Sequence, residues 1–177
     1  ELKRRADPVK APQMRAYMKS AMPYLGVQTP ALREACRLVF SAHPLTSFED
    51  WRDTVLALWR DARYREHRYA ALLLTGERRY RDYQTLAALP LYEELIVTGA
   101  WWDYVDPIAS HRIGLLLNRY PTAMRKTMRN WSRSADMWKR RASIICQLTF
   151  KDDTDLDLLY ACIEPSVGSK EFFLRKG

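Results

Sequence analysis

Apolar residues recur at three- and four-residue spacing along almost the whole chain, and alternating runs long enough for a strand are hard to find. That period predicts an all-α protein. Pro12 to Met22 reads as a first helix, stopped by Pro23 and Gly26. Thr29 and Pro30 open a second, with Thr29 as N-cap, Pro30 at the first helical position and Leu32, Ala35, Cys36, Val39 and Phe40 facing inward. His43-Pro44 ends it. Ser47 caps a third, with Trp51, Val55, Leu58 and Trp59 as its inner face. Glu66 to Arg78 makes a fourth around Tyr69, Leu72 and Leu73, and Leu86 to Thr98 a fifth, interrupted early by Pro90. Trp101 to Arg119, Ala123 to Ser132, Met137 to Phe150 and Leu156 to Ile163 follow, and Lys170 to Lys176 opens a tenth.

Helices of this length joined by short turns predict stacked antiparallel pairs. Their rhythm of roughly 35–45 residues is that of HEAT-type arrays. The expected architecture is therefore one domain over residues 1–177, a right-handed superhelical array of helix pairs (HEAT-like, of the α-α superhelix kind). Such arrays curve, so a concave groove lined by basic residues is expected with it. A compact helical bundle is the rival arrangement.

One stretch organises the chemistry: Glu93 to Asp106, EELIVTGAWWDYVD. It reads as a helix ending at Thr98, a break at Gly99 where a left-handed cap is easiest, and a new helix from Ala100. Trp102 and Asp106 are four apart and share a face. Two Trp near a helix start are usually core, and an Asp in a first turn usually complements the helix dipole. A fully buried face would leave Asp106 unpaired, and a fully exposed one would waste Trp102, so a groove wall suits both. Trp101, about 100° round the helix, is free to face the core.

Composition adds a partner. The formal net charge is +8, from 29 Lys and Arg against 21 Asp and Glu, with a pI near 9.5. A polyanion is favoured, and Arg predominates, which forks onto phosphate better than Lys. Arg60, Arg63, Arg65, Arg68, Arg78, Arg79 and Arg81 form one basic group. Arg125, Lys126, Arg129, Arg133, Lys139, Arg140 and Arg141 form a second, interleaved with Trp131 and Trp138. No apolar run is long enough to span a bilayer, and the charged opening ELKRRADPVK is no signal peptide. Glu1 is not an initiator Met, so the numbering is expected to begin inside a longer chain. Cys36, Cys146 and Cys162 lack a CxxC spacing and predict reduced, buried thiols in a cytoplasmic protein.

The segments MRAYMK (14–19), LGVQTP (25–30), EELIVTGAWWDYVD (93–106), WKRRASIICQL (138–148) and GSKEFF (168–173) together resemble the DNA alkylation repair family of HEAT-like DNA glycosylases, in the same order over essentially the whole chain. The resemblance implies hydrolysis of the N-glycosidic bond of cationic N3- or N7-alkylated purines in double-stranded DNA, without base flipping and without metal or organic cofactor. It implies a monomer, in the cytoplasm or on a bacterial nucleoid. Carried over by motif, the catalytic residues are Asp106, Trp102 and Arg141, with Asp103 left as a solvated or helix-start residue. Tyr17, Gln28, Thr29, Arg33, Arg140 and Lys170 fall at DNA-binding positions; the competing reading of Thr29 is simply an N-cap and that of Tyr17 a core residue. Trp138 is expected to pack between helices. The family has a further active-site Trp in the helix after GSKEFF. The sequence stops at Gly177 before it, so a C-terminal truncation, a remainder outside this sequence or a shortened relative is expected, with poor DNA binding or loss of activity in the chain as given.

The chemistry is coherent by itself. A cationic alkylpurine is already a good leaving group and needs no acid to protonate it. There remains an oxocarbenium-like sugar to stabilise and a water to place, which one carboxylate can do where ordinary glycoside hydrolysis uses two. An indole face attracts the shared positive charge by about 0.5–2 kcal/mol. Arg141 would anchor the phosphate beside the lesion. Other chemistries lack their signatures: His43, His67 and His111 are scattered, and there is neither a glycine-rich phosphate loop nor a GxSxG elbow. The alternatives are a non-catalytic HEAT-like module that binds DNA by charge and shape, and a protein-binding scaffold.

Overall fold

The computed structural model describes residues 1–177, all helix and connection with no strand. The helices gather into two compact units, Glu1–Arg81 and Asp82–Gly177.

In the first unit a short 3₁₀ turn (Leu2–Arg5) precedes α1 (Lys10–Tyr17), α2 (Thr29–Ala42), α3 (Phe48–Arg60) and α4 (Arg65–Thr75). The first helix ends five residues earlier than the apolar pattern suggests. Lys19 takes a left-handed φ of 49°, and residues 23–28 run as a loop. That loop is held from below. The Glu66 carboxylate, fully buried, accepts the backbone N–H groups of Leu25 (2.9 Å), Gly26 (2.8 Å) and Val27 (3.1 Å). Three converging amides satisfy a charge that burial alone would make very costly. Gly26 is required there: its φ is +86°, and a Cβ would sit 2.0 Å from the Asp7 carbonyl oxygen.

α4 packs against both α2 and α3. Its buried residues are Arg65 and Glu66 in the first turn, then Ala70, Ala71, Leu74 and Thr75, whereas the expected stripe of Tyr69, Leu72 and Leu73 is only half-buried. The small alanines let α2 and α3 approach α4 closely. The expected caps are split. Ser47 does cap α3, its hydroxyl accepting the Asp50 N–H at 3.0 Å. Thr29 is instead the first residue of α2, the cap position falls on Gln28, and no side chain closes it.

In the second unit a 3₁₀ turn (Leu86–Ala88) leads into α5 (Leu89–Gly99), with Pro90 in the first turn, where its missing N–H costs nothing. α6 (Trp102–Ile108), a π turn (Ala109–Ile113) and α7 (Gly114–Arg119) continue along one line, followed by α8 (Pro121–Trp131), α9 (Met137–Ile145), α10 (Leu156–Ile163) and α11 (Phe172–Arg175). The single helix expected over Trp101–Arg119 is thus interrupted. Pro107 lies inside α6, where it deprives the Asp103 carbonyl of its ladder partner, and the π turn begins two residues later.

α9 is the hub, packed against α5, α6, α8, α10 and α11. Accordingly six of its nine residues are buried, Arg141 among them. Asp136 caps it by accepting the Lys139 N–H at 2.8 Å, and the helix ends at Ile145, short of the expected Phe150. Gly114 lets α7 meet the end of α9: a Cβ there would lie 2.5 Å from the Cys146 carbonyl oxygen. No helix is long and apolar enough to cross a membrane.

Candidate active site

The turn between α5 and α6 sets the site's first residues. Gly99 is still helical, and the left-handed position falls on Ala100 (φ 44°, ψ 40°), one residue later than expected. A non-glycine residue there costs about 1–2 kcal/mol, a strain the packing around it must hold. Trp101 is then extended as the N-cap of α6, so Trp102 and Asp106 are the first and fifth residues of a fresh helix, one turn apart on a common side. Both are half-buried. Ser110, in the π turn, donates from its hydroxyl to the Asp106 backbone carbonyl at 2.7 Å and steadies the helix there.

The Asp106 carboxylate is gripped from α9. Arg141 donates from Nε to Oδ1 and from Nη2 to Oδ2, both at 2.7 Å. Arg141 is 8% exposed along its side chain and Asp106 29%. The arginine side chain is therefore inside the protein while the aspartate side chain is partly open to solvent. The third nitrogen, Nη1, donates to the Phe173 carbonyl of α11. An ionised carboxylate offers about four acceptor directions, so a bidentate fork leaves the outer lone pairs of both oxygens available. What the fork provides is orientation: two parallel hydrogen bonds fix the carboxylate plane.

Around this pair lies an aromatic packing layer. Trp101 stands against Trp138 (ring centres 6.3 Å apart) and Phe173 (5.3 Å), and Trp138 against Phe173 (5.1 Å). Trp101 thus packs inward as expected, although from the extended N-cap position and not from within the helix, and Trp138 packs between helices. Trp131 is buried as well, so the two Trp interleaved with the second basic group belong to the core.

The structure brings together Trp102, Asp106 and Arg141, from α6 and α9, with Arg140 next along α9. Arg140 is half-buried and its Nε is enclosed without a partner. Lys170 is exposed two residues ahead of α11. Tyr17, 78% exposed, is no core residue; it lies in the first unit with Gln28, Thr29 and Arg33, all exposed. Gln28 accepts from Lys10 Nζ at 3.1 Å.

Much of the basic charge has internal duties. Arg65 is buried and donates to the Tyr69 hydroxyl (3.0 Å) and to Ser20 Oγ (3.3 Å), Arg68 lies 4.6 Å over the Trp59 ring, and Arg79 donates to the Phe40 carbonyl at 3.0 Å. Lys139 pairs with Glu93 and lies over the Trp131 ring. By contrast Arg125, Lys126 and Arg129 of α8, with Arg133 just past its end, line an open depression of about 510 Å³, although Arg125 also meets Asp155 at 2.7 Å and Arg133 donates to the Arg129 carbonyl at 3.0 Å. Phe173 and Glu93 had no signal as site residues in the sequence; only the GSKEFF segment as a whole pointed towards the former.

The thiols are as expected, buried and free. Burial pushes Cys36 up to about 11 and Cys146 up to about 12, and Cys162 also upward, so none is a thiolate near neutrality. No group of three His, Cys, Asp or Glu side chains with metal-site geometry forms.

A solved structure described as a predicted DNA alkylation repair enzyme from Enterococcus faecalis superposes with a TM-score of 0.85 at 24% identity, covering 97% of this chain and 79% of that one. The likeness establishes the HEAT-like helical fold that the helix rhythm predicts. No curated protein matches the sequence. The family model described as DNA alkylation repair enzyme matches residues 1–177, and the chain belongs to that family.

Proposed function

We propose that the chain is an alkylpurine DNA glycosylase, hydrolysing the N-glycosidic bond of cationic N3- or N7-alkylated purines in duplex DNA. Family membership supports the class of damage. The observation that carries the reaction is the partly exposed Asp106 carboxylate, fixed in plane by Arg141 one helical turn from the Trp102 indole.

In this reading Asp106 faces the sugar. As the bond to the cationic base lengthens, positive charge builds on the ring oxygen and anomeric carbon, and a carboxylate already in place stabilises it without reorganising. An outer lone pair of the same group holds the attacking water and takes its proton. The departing base is neutral once the bond breaks, so no general acid is required. Trp102 presents a π face to the positive charge of lesion and sugar, worth about 0.5–2 kcal/mol according to desolvation.

Arg141 acts through Asp106. Its burial and its three engaged nitrogens suit it to orient the carboxylate, and they leave little of the guanidinium for the flanking phosphate that the resemblance assigned to it. The ion pair attracts a cation less strongly than a bare carboxylate would, and gains a defined geometry in exchange. Phosphate contacts fall to the exposed Lys170 and the half-buried Arg140, nearest in sequence to the site elements, with Tyr17, Gln28, Thr29 and Arg33 as further backbone contacts from the first unit. Selection by lesion charge and bond lability needs no pocket to receive an extruded base, which supports excision without base flipping.

The test is an excision assay on duplex DNA carrying 7-methylguanine, read by cleavage at the resulting abasic site, with duplex affinity measured in parallel. The wild-type chain should excise, and Asp106→Asn should bind normally and excise at least 100-fold more slowly, a loss of the size seen when a preorganised transition-state group is removed. Full excision by the folded variant would refute the role of Asp106. A second reading, a DNA-binding module without chemistry, is favoured by the cationic side of α8. It predicts salt-dependent binding and no excision by any form of the protein.

A further inference from the structure

The carbonyl of Phe173 is left out of the helical ladder of α11. Arg175 N–H bonds to Glu171, Lys176 N–H to Phe172 and Gly177 N–H to Leu174, so no backbone donor reaches Phe173. Arg141 Nη1 takes that place. The Phe173 ring meanwhile touches both elements that carry the ion pair. It lies 5.3 Å from Trp101, the N-cap of α6, and 5.1 Å from Trp138, which precedes Arg141 by one turn of α9. The Arg141 guanidinium carbon is 6.0 Å from the same ring. Leu174 beside it is buried and anchors α11.

From this we infer that Phe173 is a positioning residue for the reaction: its ring wedges α6 against α9, and its carbonyl fixes the guanidinium that in turn fixes Asp106. The inference rests on the proposed role of Asp106, and it adds that the C-terminal segment decides whether the carboxylate is correctly aimed. Arg141 has several rotatable bonds. With only the two contacts to Asp106, guanidinium and carboxylate could swing together as a unit. The third contact, to a backbone atom of a different helix, removes that freedom. A misplacement of about 1 Å at a reacting group is enough to cost on the order of 100-fold in rate.

The experiment compares the wild-type chain, Phe173→Leu and Phe173→Ala by three readouts: single-turnover excision of 7-methylguanine, duplex affinity, and the ¹⁵N-detected Arg141 Nε–H signal with its hydrogen-exchange protection. Phe173→Ala should slow excision about 100-fold and Phe173→Leu, which keeps apolar bulk, about tenfold. Affinity should change less than twofold, and the Nε–H should lose protection in the same order. A merely structural role would lower the melting temperature without this graded loss at Arg141. If Phe173→Ala does not fold, Phe173→Leu decides. Wild-type rate and wild-type Nε–H protection in the folded Leu variant would overturn the inference. Should the wild-type chain itself fail to excise, the proposed function fails, while the Nε–H measurement still tests the lock.

Discussion

Arg141 and Asp106 are 35 residues apart in the chain and share two parallel hydrogen bonds of 2.7 Å, with the arginine inside the protein and the aspartate at its edge. The asymmetry of exposure makes the pair unequal. Removing the carboxylate strands a buried cation, whereas removing the guanidinium leaves a carboxylate that water can reach.

Asp106→Ala should therefore destabilise the fold by about 2–4 kcal/mol, below the full cost of breaking a deeply buried pair because Asp106 is partly solvated. Asp106→Asn should cost less, about 1–2 kcal/mol, since the amide oxygen still accepts one hydrogen bond. Urea denaturation of both variants measures the difference. It also shows that lost excision in Asp106→Asn is chemical and not a consequence of unfolding.

Glu66 is the one buried carboxylate of the first unit, and it holds three backbone amides. Glu66→Ala leaves three buried amides without acceptors and should lower stability by about 3–6 kcal/mol. Glu66→Gln keeps one acceptor oxygen and should fall midway. The loop over residues 23–28 should lose its amide protection first, which hydrogen exchange would follow residue by residue.

Two glycines separate geometric need from mere tolerance. Gly26→Ala combines a φ of +86° with a Cβ 2.0 Å from a backbone oxygen, and should cost at least about 3 kcal/mol. Gly168→Ala meets nothing within 4 Å and has an ordinary φ, so it should be neutral or stabilising by up to about 1 kcal/mol. Equal effects of the two in thermal denaturation would contradict the conformation of the Gly26 loop.

His67 supplies a pH dependence. Desolvation lowers it below its ordinary 6.5, with Lys3 and Arg63 adding to that and Glu66 opposing. The unfolded chain therefore binds the proton more readily than the folded one. Stability is intact above the unfolded value and falls as pH drops through 6.5 towards the lower folded value. His67→Phe should flatten the stability curve in that window and leave it unchanged above pH 7.5 or so. An undiminished slope in the variant would assign the acid loss elsewhere.

The sequence by itself determined the helices and the candidate carboxylate. Local signals were sufficient where the physics is local: Ser47 before α3 and the span Leu156–Ile163 of α10 follow from capping and periodicity, which act over one turn. The pairing of Trp102 with Asp106 follows from helix geometry alone. What only tertiary structure decided was who satisfies whom. Glu66 looks like any first-turn acid until the loop over 25–27 folds onto it, and Arg65 and Arg68 look like free cations until Tyr69 and Trp59 take them up. The interruption of the expected Trp101–Arg119 helix falls at Pro107, yet its form as a π turn depends on packing against α9. The phosphate role given to Arg141 came with the motif resemblance, which carries no information on its burial. Its burial at the hub of the second unit required internal acceptors, and the Asp106 carboxylate with the Phe173 carbonyl supplies them, because a guanidinium withdrawn from water has to recover its hydrogen bonds from whatever the fold places beside it.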